Sequence, residues 1–329
     1  MRDKNRWLKN LMLIFLISFL SACASHTYFY QAESIPKKAS VIKDIKFYKQ
    51  EKNEWCGPAV LQMVLHFYGI EEKQEIIAAG VFDEKEKVVK LSEMVFYPQS
   101  KGLKSYSFKG NLNDLKELIS RGLPVVVFQK ASKEINKGHY RLLVGYYQDW
   151  IMLADPLLGN NIFVKEKDFL ELWTLGGEEN WSMIALKDDS GLESKYKDNE
   201  VYFRDLATAF FRRGKYQESE HYWKEALSKS ENTRYLYALA FTHLKAGQID
   251  EAENYAKLVL EKEPNSPYCL YIIGKIENKK VTELNPIEDT ESSGGALTKS
   301  DIRAIKKKKE EEGMDPGLFM LPFITGQSK

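Results

Sequence analysis

Gln50-Glu51-Lys52-Asn53-Glu54-Trp55-Cys56-Gly57-Pro58-Ala59 stands directly before a run with apolar residues at 59, 60, 61, 63, 64, 65 and 67, closed by Gly69. That spacing predicts a buried helix over 58–68 with a glycine stop. A cysteine at the mouth of a helix lies against the positive end of its dipole, beside backbone N–H groups that have no helical acceptor. Both favour thiolate, and thiol pKa values in such settings fall from about 8.5 to about 3.5–7.5. Gly57 is expected to let a substrate approach, and Pro58 to start the helix without wasting a donor. Gln50 is close enough upstream for its amide N–H to converge with that of Cys56. Such a pair would form an oxyanion hole, where one donor contributes about 2.7–4 kcal/mol.

A thiolate nucleophile needs an acid to protonate its leaving group, and histidine serves near neutral pH. His139 is expected to open a strand after Lys137-Gly138, and Asp155 to close the next strand before Pro156. Strands over 142–147 and 150–154, separated by Gln148-Asp149, form a hairpin in which residues whose numbers sum to about 294–296 face each other. His139 and Asp155 meet that condition and are placed side by side as imidazole and orienting carboxylate. Further strands are predicted at 124–128, 163–164 and 183–186, and a short helix at 112–121 ended by Gly122. Helix first and antiparallel strands later make residues 45–187 an α+β domain.

Gln50, Cys56-Gly57-Pro58-Ala59, Gly138-His139-Tyr140, Val144-Gly145-Tyr146 and Asp155-Pro156 together resemble the bacteriocin-processing, double-glycine-leader cysteine peptidases and their stand-alone relatives. The resemblance covers about 45–187. It implies a papain-like fold with catalytic Cys56, His139 and Asp155 in chain order and Gln50 at the oxyanion hole. It also sets Arg141, where the family usually carries an apolar residue, at the substrate groove. The transporter-linked members work in the cytosol beside an ATPase, whereas this chain reads as exported and alone, so double-glycine specificity is not carried over.

After a polar linker at 188–199 the pattern turns helical. Gly214-Lys-Tyr-Gln-Glu-Ser219 recurs as Gly247-Gln-Ile-Asp-Glu-Ala252, thirty-three residues on. With Ala226, Ala256 and Pro264 in register, residues 200–267 resemble the tetratricopeptide repeat, a helix–turn–helix unit of about 34 residues, followed by a capping helix to about 280. Two repeats fall short of the usual stable minimum of about three, so the array is expected to lean on the first domain. Residues 281–329 read as a low-complexity tail, and Gly294-Gly295 within it as linker.

At the other end, residues 2–9 are basic and Leu11–Leu20 is an apolar run interrupted only by Ser18. That run suits the core of a signal peptide and is short for a membrane span. It ends in Leu20-Ser21-Ala22-Cys23, which resembles a bacterial lipobox. The resemblance implies cleavage after residue 22, acylation of Cys23 and, with Ala24 following, placement in the outer membrane facing the periplasm of a two-membrane cell. Residues 23–44 read as a polar tether. An uncleaved N-terminal anchor is the other reading.

Hydrophobic residues at 43% and aromatics at 12% are enough for packed domains and argue against wholesale disorder. The net charge of +1 falls to −2 once the +3 of residues 1–22 is removed, a balance that offers no basic face for nucleic acid. Cys23, Cys56 and Cys269 are too few for a disulfide framework, and neither they nor the five histidines show metal-ligand spacing. No cofactor is implied. The expected partners are a peptide or protein substrate, a protein held by the repeats, and a lipid bilayer. A non-hydrolytic assembly lipoprotein and an acyl transferase using the same residues remain as rival readings.

Overall fold

A computed structural model describes residues 28–175, 180–188 and 191–277, with Ser300 and Arg303. The expected signal sequence, Cys23, Gly294-Gly295 and the rest of the tail beyond residue 277 thus lie outside the described residues, those two positions apart. In chain order the elements are β1 (Tyr30–Gln31), β2 (Ser40–Val41), α1 (Cys56–Phe67), α2 (Gln74–Val81), β3 (Phe82–Asp83), β4 (Val88–Val89), α3 (Leu91–Ser100) and β5 (Lys104–Lys109). There follow α4 (Leu112–Ser120), β6 (Val125–Lys130), β7 (Gly138–Tyr147), β8 (Trp150–Asp155), β9 (Gly159–Lys165), α5 (Glu166–Leu172) and β10 (Trp181–Leu186). Then come α6 (Glu193–Tyr196), α7 (Glu200–Arg212), α8 (Tyr216–Lys229), α9 (Thr233–Lys245), α10 (Ile249–Lys262) and α11 (Pro267–Ile276).

An antiparallel sheet in the order β1-β9-β8-β7-β6-β10-β5 organises the first domain, with β2 added beside β7. Val125 to Phe128 and all of β10 are buried, so these central strands read as continuous apolar runs rather than alternations. Helix α1 packs on the sheet through Val60, Leu61, Val64 and Leu65, all at most 1% exposed. Asn111 caps α4 by accepting from the Asp114 N–H at 3.0 Å, and Gly122 ends it at φ 78°. The α+β expectation is met. Helices α2, α3 and α5 and strands β3, β4 and β5 are additional to it.

Two boundaries move. The expected tether is folded from residue 28: Tyr28, Phe29, Ala32 and Ile42 are buried, β1 pairs with β9 and β2 with β7. The Tyr28 hydroxyl accepts from the Lys133 N–H at 2.9 Å. Short two-residue strands carry too little periodicity to announce themselves in a polar segment. The linker is packed as well, with Leu192 and Tyr196 buried and Asn199 both capping α7 and donating to the Ser107 carbonyl at 3.0 Å.

Helices α7–α11 form paired hairpins. Gly214 and Gly247 take φ of 67° and 77° at equivalent turns, a conformation L side chains rarely adopt. Ala226, Ala252 and Ala256 are fully buried where paired helices approach. The array leans on the first domain through α7. Trp181 of β10 donates its indole N–H to Asp205 at 3.0 Å, Tyr106 meets Tyr202 edge-on, and Arg213 pairs with Glu93 at 2.6 Å. Among the described residues no helix is long and apolar enough to cross a membrane.

Candidate active site

Cys56 is the first residue of α1, preceded by Trp55, whose side chain makes no capping bond. The first-turn N–H groups are therefore left for other acceptors. The thiol is half-buried. Burial works to raise its pKa, but hydrogen bonding and charge from His139, with backbone N–H groups of Tyr140 and Gly57, bring it below the ordinary thiol value.

His139 begins the buried part of β7, opposite Gln129 of β6. The preceding Gly138 is required sterically, because a Cβ there would lie 2.2 Å from the Phe128 ring. The imidazole Nε2 meets Asp155 Oδ1 at 3.0 Å, and both side chains are inaccessible to solvent. Nδ1 has no well-formed hydrogen-bond partner and is the ring atom left for Cys56. Burial, the largest influence, works to lower the His139 pKa and Arg141 opposes from the far side, but the Asp155 charge together with hydrogen bonds to Asp155 and Cys56 makes the net shift upward.

Asp155 closes β8. Oδ1 also accepts from the Leu157 and Leu158 N–H groups at 2.8 and 3.0 Å, and Oδ2 accepts from Arg141 Nε at 2.7 Å. Burial alone would raise its pKa; the His139 and Arg141 charges hold the carboxyl well below the usual carboxylate range. The carboxylate is therefore fixed as an ion that orients the ring.

The hairpin brings His139 and Asp155 together, but not face to face as expected. Leu142 pairs with Ala154, so the position opposite Asp155 is Arg141, and His139 lies two residues along the same face. The reversal centres between Gln148 and Asp149, later than a sum of 294 requires, and the bulge at Val144 takes back only one residue, leaving Arg141 opposite Asp155. Arg141 itself does not line a groove. It is 1% exposed, stacks on Phe29 at 4.9 Å, and donates to Asp155, Gln129 and the Lys130 and Ala131 carbonyls.

Gly57 also differs in purpose. A Cβ there would meet Val89 Cγ2 at 2.9 Å, so the glycine admits β4 rather than substrate. Gln50 lies in the loop before α1, with its backbone N–H donating to the Pro156 carbonyl at 3.0 Å. Its amide nitrogen donates to the carbonyls of Lys52 at 3.0 Å and Asn53 at 2.5 Å, and does not project toward an empty oxyanion position as expected. Its Oε1 is buried without a partner. Cys269 is a free, fully buried thiol in the repeats, pushed up to about 11 by burial.

A thiol at a helix start, with an imidazole and a carboxylate on neighbouring antiparallel strands, defines the papain-like class. The comparisons narrow it: residues 42–179 match the Peptidase_C39 like family, and residues 210–276 match a tetratricopeptide repeat. The chain thus carries a Peptidase_C39-like domain followed by tetratricopeptide repeats.

Similar solved structures include a C39-like peptidase from Bacillus anthracis, 16% identical, covering 46% of this chain and 99% of that one at a TM-score of 0.40. The peptidase domain of Streptococcus ComA, a bi-functional ABC transporter involved in a quorum sensing pathway, is 19% identical, covering 44% and 99% at 0.37. A double glycine motif protease from an AMS/PCAT transporter, in complex with its leader peptide, is 16% identical, covering 47% and 99% at 0.36. Among curated proteins, none matches this chain.

Proposed function

We propose that this chain is a membrane-anchored cysteine peptidase acting outside the cytoplasm, with Cys56, His139 and Asp155 as its triad. The observation that carries the reading is the buried, Asp155-oriented His139 beside a thiol whose pKa is lowered at a helix start. The Cys56 thiolate adds to the scissile carbonyl, forming an S–C bond as the π electrons pass to oxygen. Collapse expels the amine, which takes a proton from His139 Nδ1. Water, deprotonated by His139, then hydrolyses the thioester. The Cys56 N–H and the Gln50 amide stabilise the oxyanion, the latter after releasing a loop carbonyl.

Acylated Cys23 holds the domain at the bilayer, in the outer membrane facing the periplasm where there are two membranes. Tyr28, five residues after Cys23, is already buried in the domain, and at no more than about 3.3–3.6 Å per residue that separation bounds the reach. The catalytic domain would sit directly on the lipid surface, with the repeats recruiting a peptide or protein substrate or partner. Capture of the same thioester by an amine would make the chain an acyl transferase, and an assembly module would use the fold without chemistry.

The test combines a pull-down from cell envelope, with Cys56→Ala as trap, and complementation of a deletion strain. Cys56→Ala should abolish turnover and fail to complement. Full complementation by that variant would establish the assembly module instead.

A further inference from the structure

Gln74 opens α2, a position where a glutamine side chain can face water at no cost, yet it is 1% exposed. Its amide is fully used. Oε1 accepts from the Glu51 N–H at 3.1 Å, and Nε2 donates to the Lys49 carbonyl at 2.9 Å and to Gln62 Oε1 at 3.0 Å. Gln62 is anchored in turn, donating from α1 to the Glu72 carbonyl at 2.9 Å. One buried side chain thus grips the backbone on both sides of Gln50, as a neighbouring strand would.

Gln50 is held a third time through its own N–H, on the Pro156 carbonyl next to Asp155. Its side chain is less settled. The buried Oε1 has no partner, an arrangement that costs stability and lowers the penalty for turning the amide outward. A backbone fixed on both sides, with a side-chain amide that can exchange a loop carbonyl for another acceptor, is what a donor serving a transient oxyanion requires, since small misplacements are costly.

We infer that Gln74 is a positioning residue that fixes the backbone of Gln50, so that the Gln50 amide can reach the oxyanion formed at Cys56. The inference rests on the peptidase reading and concerns which buried group makes its oxyanion hole usable. It also accounts for a polar side chain buried 18 residues after Cys56, outside the resembling motifs.

The experiment uses two electrophiles on the purified full-length chain. Iodoacetamide forms an S–C bond as iodide leaves, and no oxyanion arises. Acetyl-glycyl-glycinal takes the Cys56 sulfur at its aldehyde carbon, and the former carbonyl oxygen, negative in forming, takes up the thiol's proton. Protection of Cys56 against iodoacetamide reports aldehyde affinity. Gln74→Met should leave the alkylation rate within about 2-fold and weaken aldehyde binding by roughly 10- to 100-fold. Combined with Gln50→Ala, it should add no further loss. Gln74→Glu, which keeps the acceptor for the Glu51 N–H, should fall between wild type and Gln74→Met, and it carries the same comparison should the methionine variant not fold.

An additive loss in the double variant, or an equal loss of alkylation, would show a merely structural role. Unchanged aldehyde affinity in Gln74→Met overturns the inference while leaving the peptidase reading intact. Wild type that alkylates but binds neither this aldehyde nor peptide aldehydes ending in leucinal, phenylalaninal or argininal overturns both.

Discussion

Arg141 and His139 hold the two oxygens of Asp155 from opposite sides, Arg141 Nε on Oδ2 at 2.7 Å and His139 Nε2 on Oδ1 at 3.0 Å. The orienting carboxylate is thus braced by a buried guanidinium that itself stacks on Phe29 of the N-terminal segment. Truncating one partner of a buried ion pair typically costs about 3–5 kcal/mol, because the other charge is left unpaired. Arg141→Met should therefore lower the melting temperature sharply, with Arg141→Lys in between. Calorimetry of both variants checks this, and a melting point unchanged in Arg141→Met would refute it.

The two shifted groups also set a pH window. Asp155 is depressed, so its contribution to stability is present above the unfolded carboxylate value of about 3.9 and lost as pH falls below it. His139 is raised, so its contribution is complete below about 6.5 and lost as pH rises through its folded value. Asp155→Asn should be most destabilised relative to wild type between about pH 4 and 6.5. The gap in urea midpoints should narrow at pH 9 and at pH 2–3. A gap independent of pH would remove the linkage.

The two described thiols should differ strongly in reactivity. Cys56 is lowered and half-exposed, whereas Cys269 is buried and pushed up to about 11. At pH 6 only about 10⁻⁵ of a thiol with that pKa is ionised. Mass spectrometry after brief iodoacetamide treatment should find the label on Cys56 alone. Comparable labelling of both would count against an activated thiolate.

Removing the repeats should damage the peptidase domain. Trp181 packs edge-on against Tyr140, whose N–H reaches the Cys56 sulfur, and its indole N–H depends on Asp205 of α7. Asp205 also pairs with Arg204 at 2.7 Å. Asp205→Ala leaves buried donors unsatisfied, at about 1–3 kcal/mol each, and should slow Cys56 alkylation as well as lower the melting temperature. A chain ending before α7 that stays soluble with undiminished alkylation would show the two parts to be independent.

For the anchor, Cys23→Ser should release the protein from membranes and abolish labelling by a clickable palmitate. Wild type that carries no acyl label yet stays membrane-bound would favour an uncleaved apolar anchor.

Local signals made part of this protein legible in the sequence. The helix after Cys56, the β7–β8 hairpin with its Gln148-Asp149 turn, and the two glycine-turned repeats each depend on contacts between residues near in sequence. The hairpin was enough to bring His139 and Asp155 together, though its turn centres late enough to leave Arg141, not His139, opposite Asp155.

Only the tertiary structure decided the rest, since it rests on contacts that no period or spacing encodes. Tyr28 meets Lys133 across 105 residues and Arg213 meets Glu93 across 120. Gln74 reaches back to Lys49 and Glu51 from a helix with its own separate pattern. A buried polar residue looks like a surface one in sequence; its partners, and hence its role, exist only after the chain has closed around them.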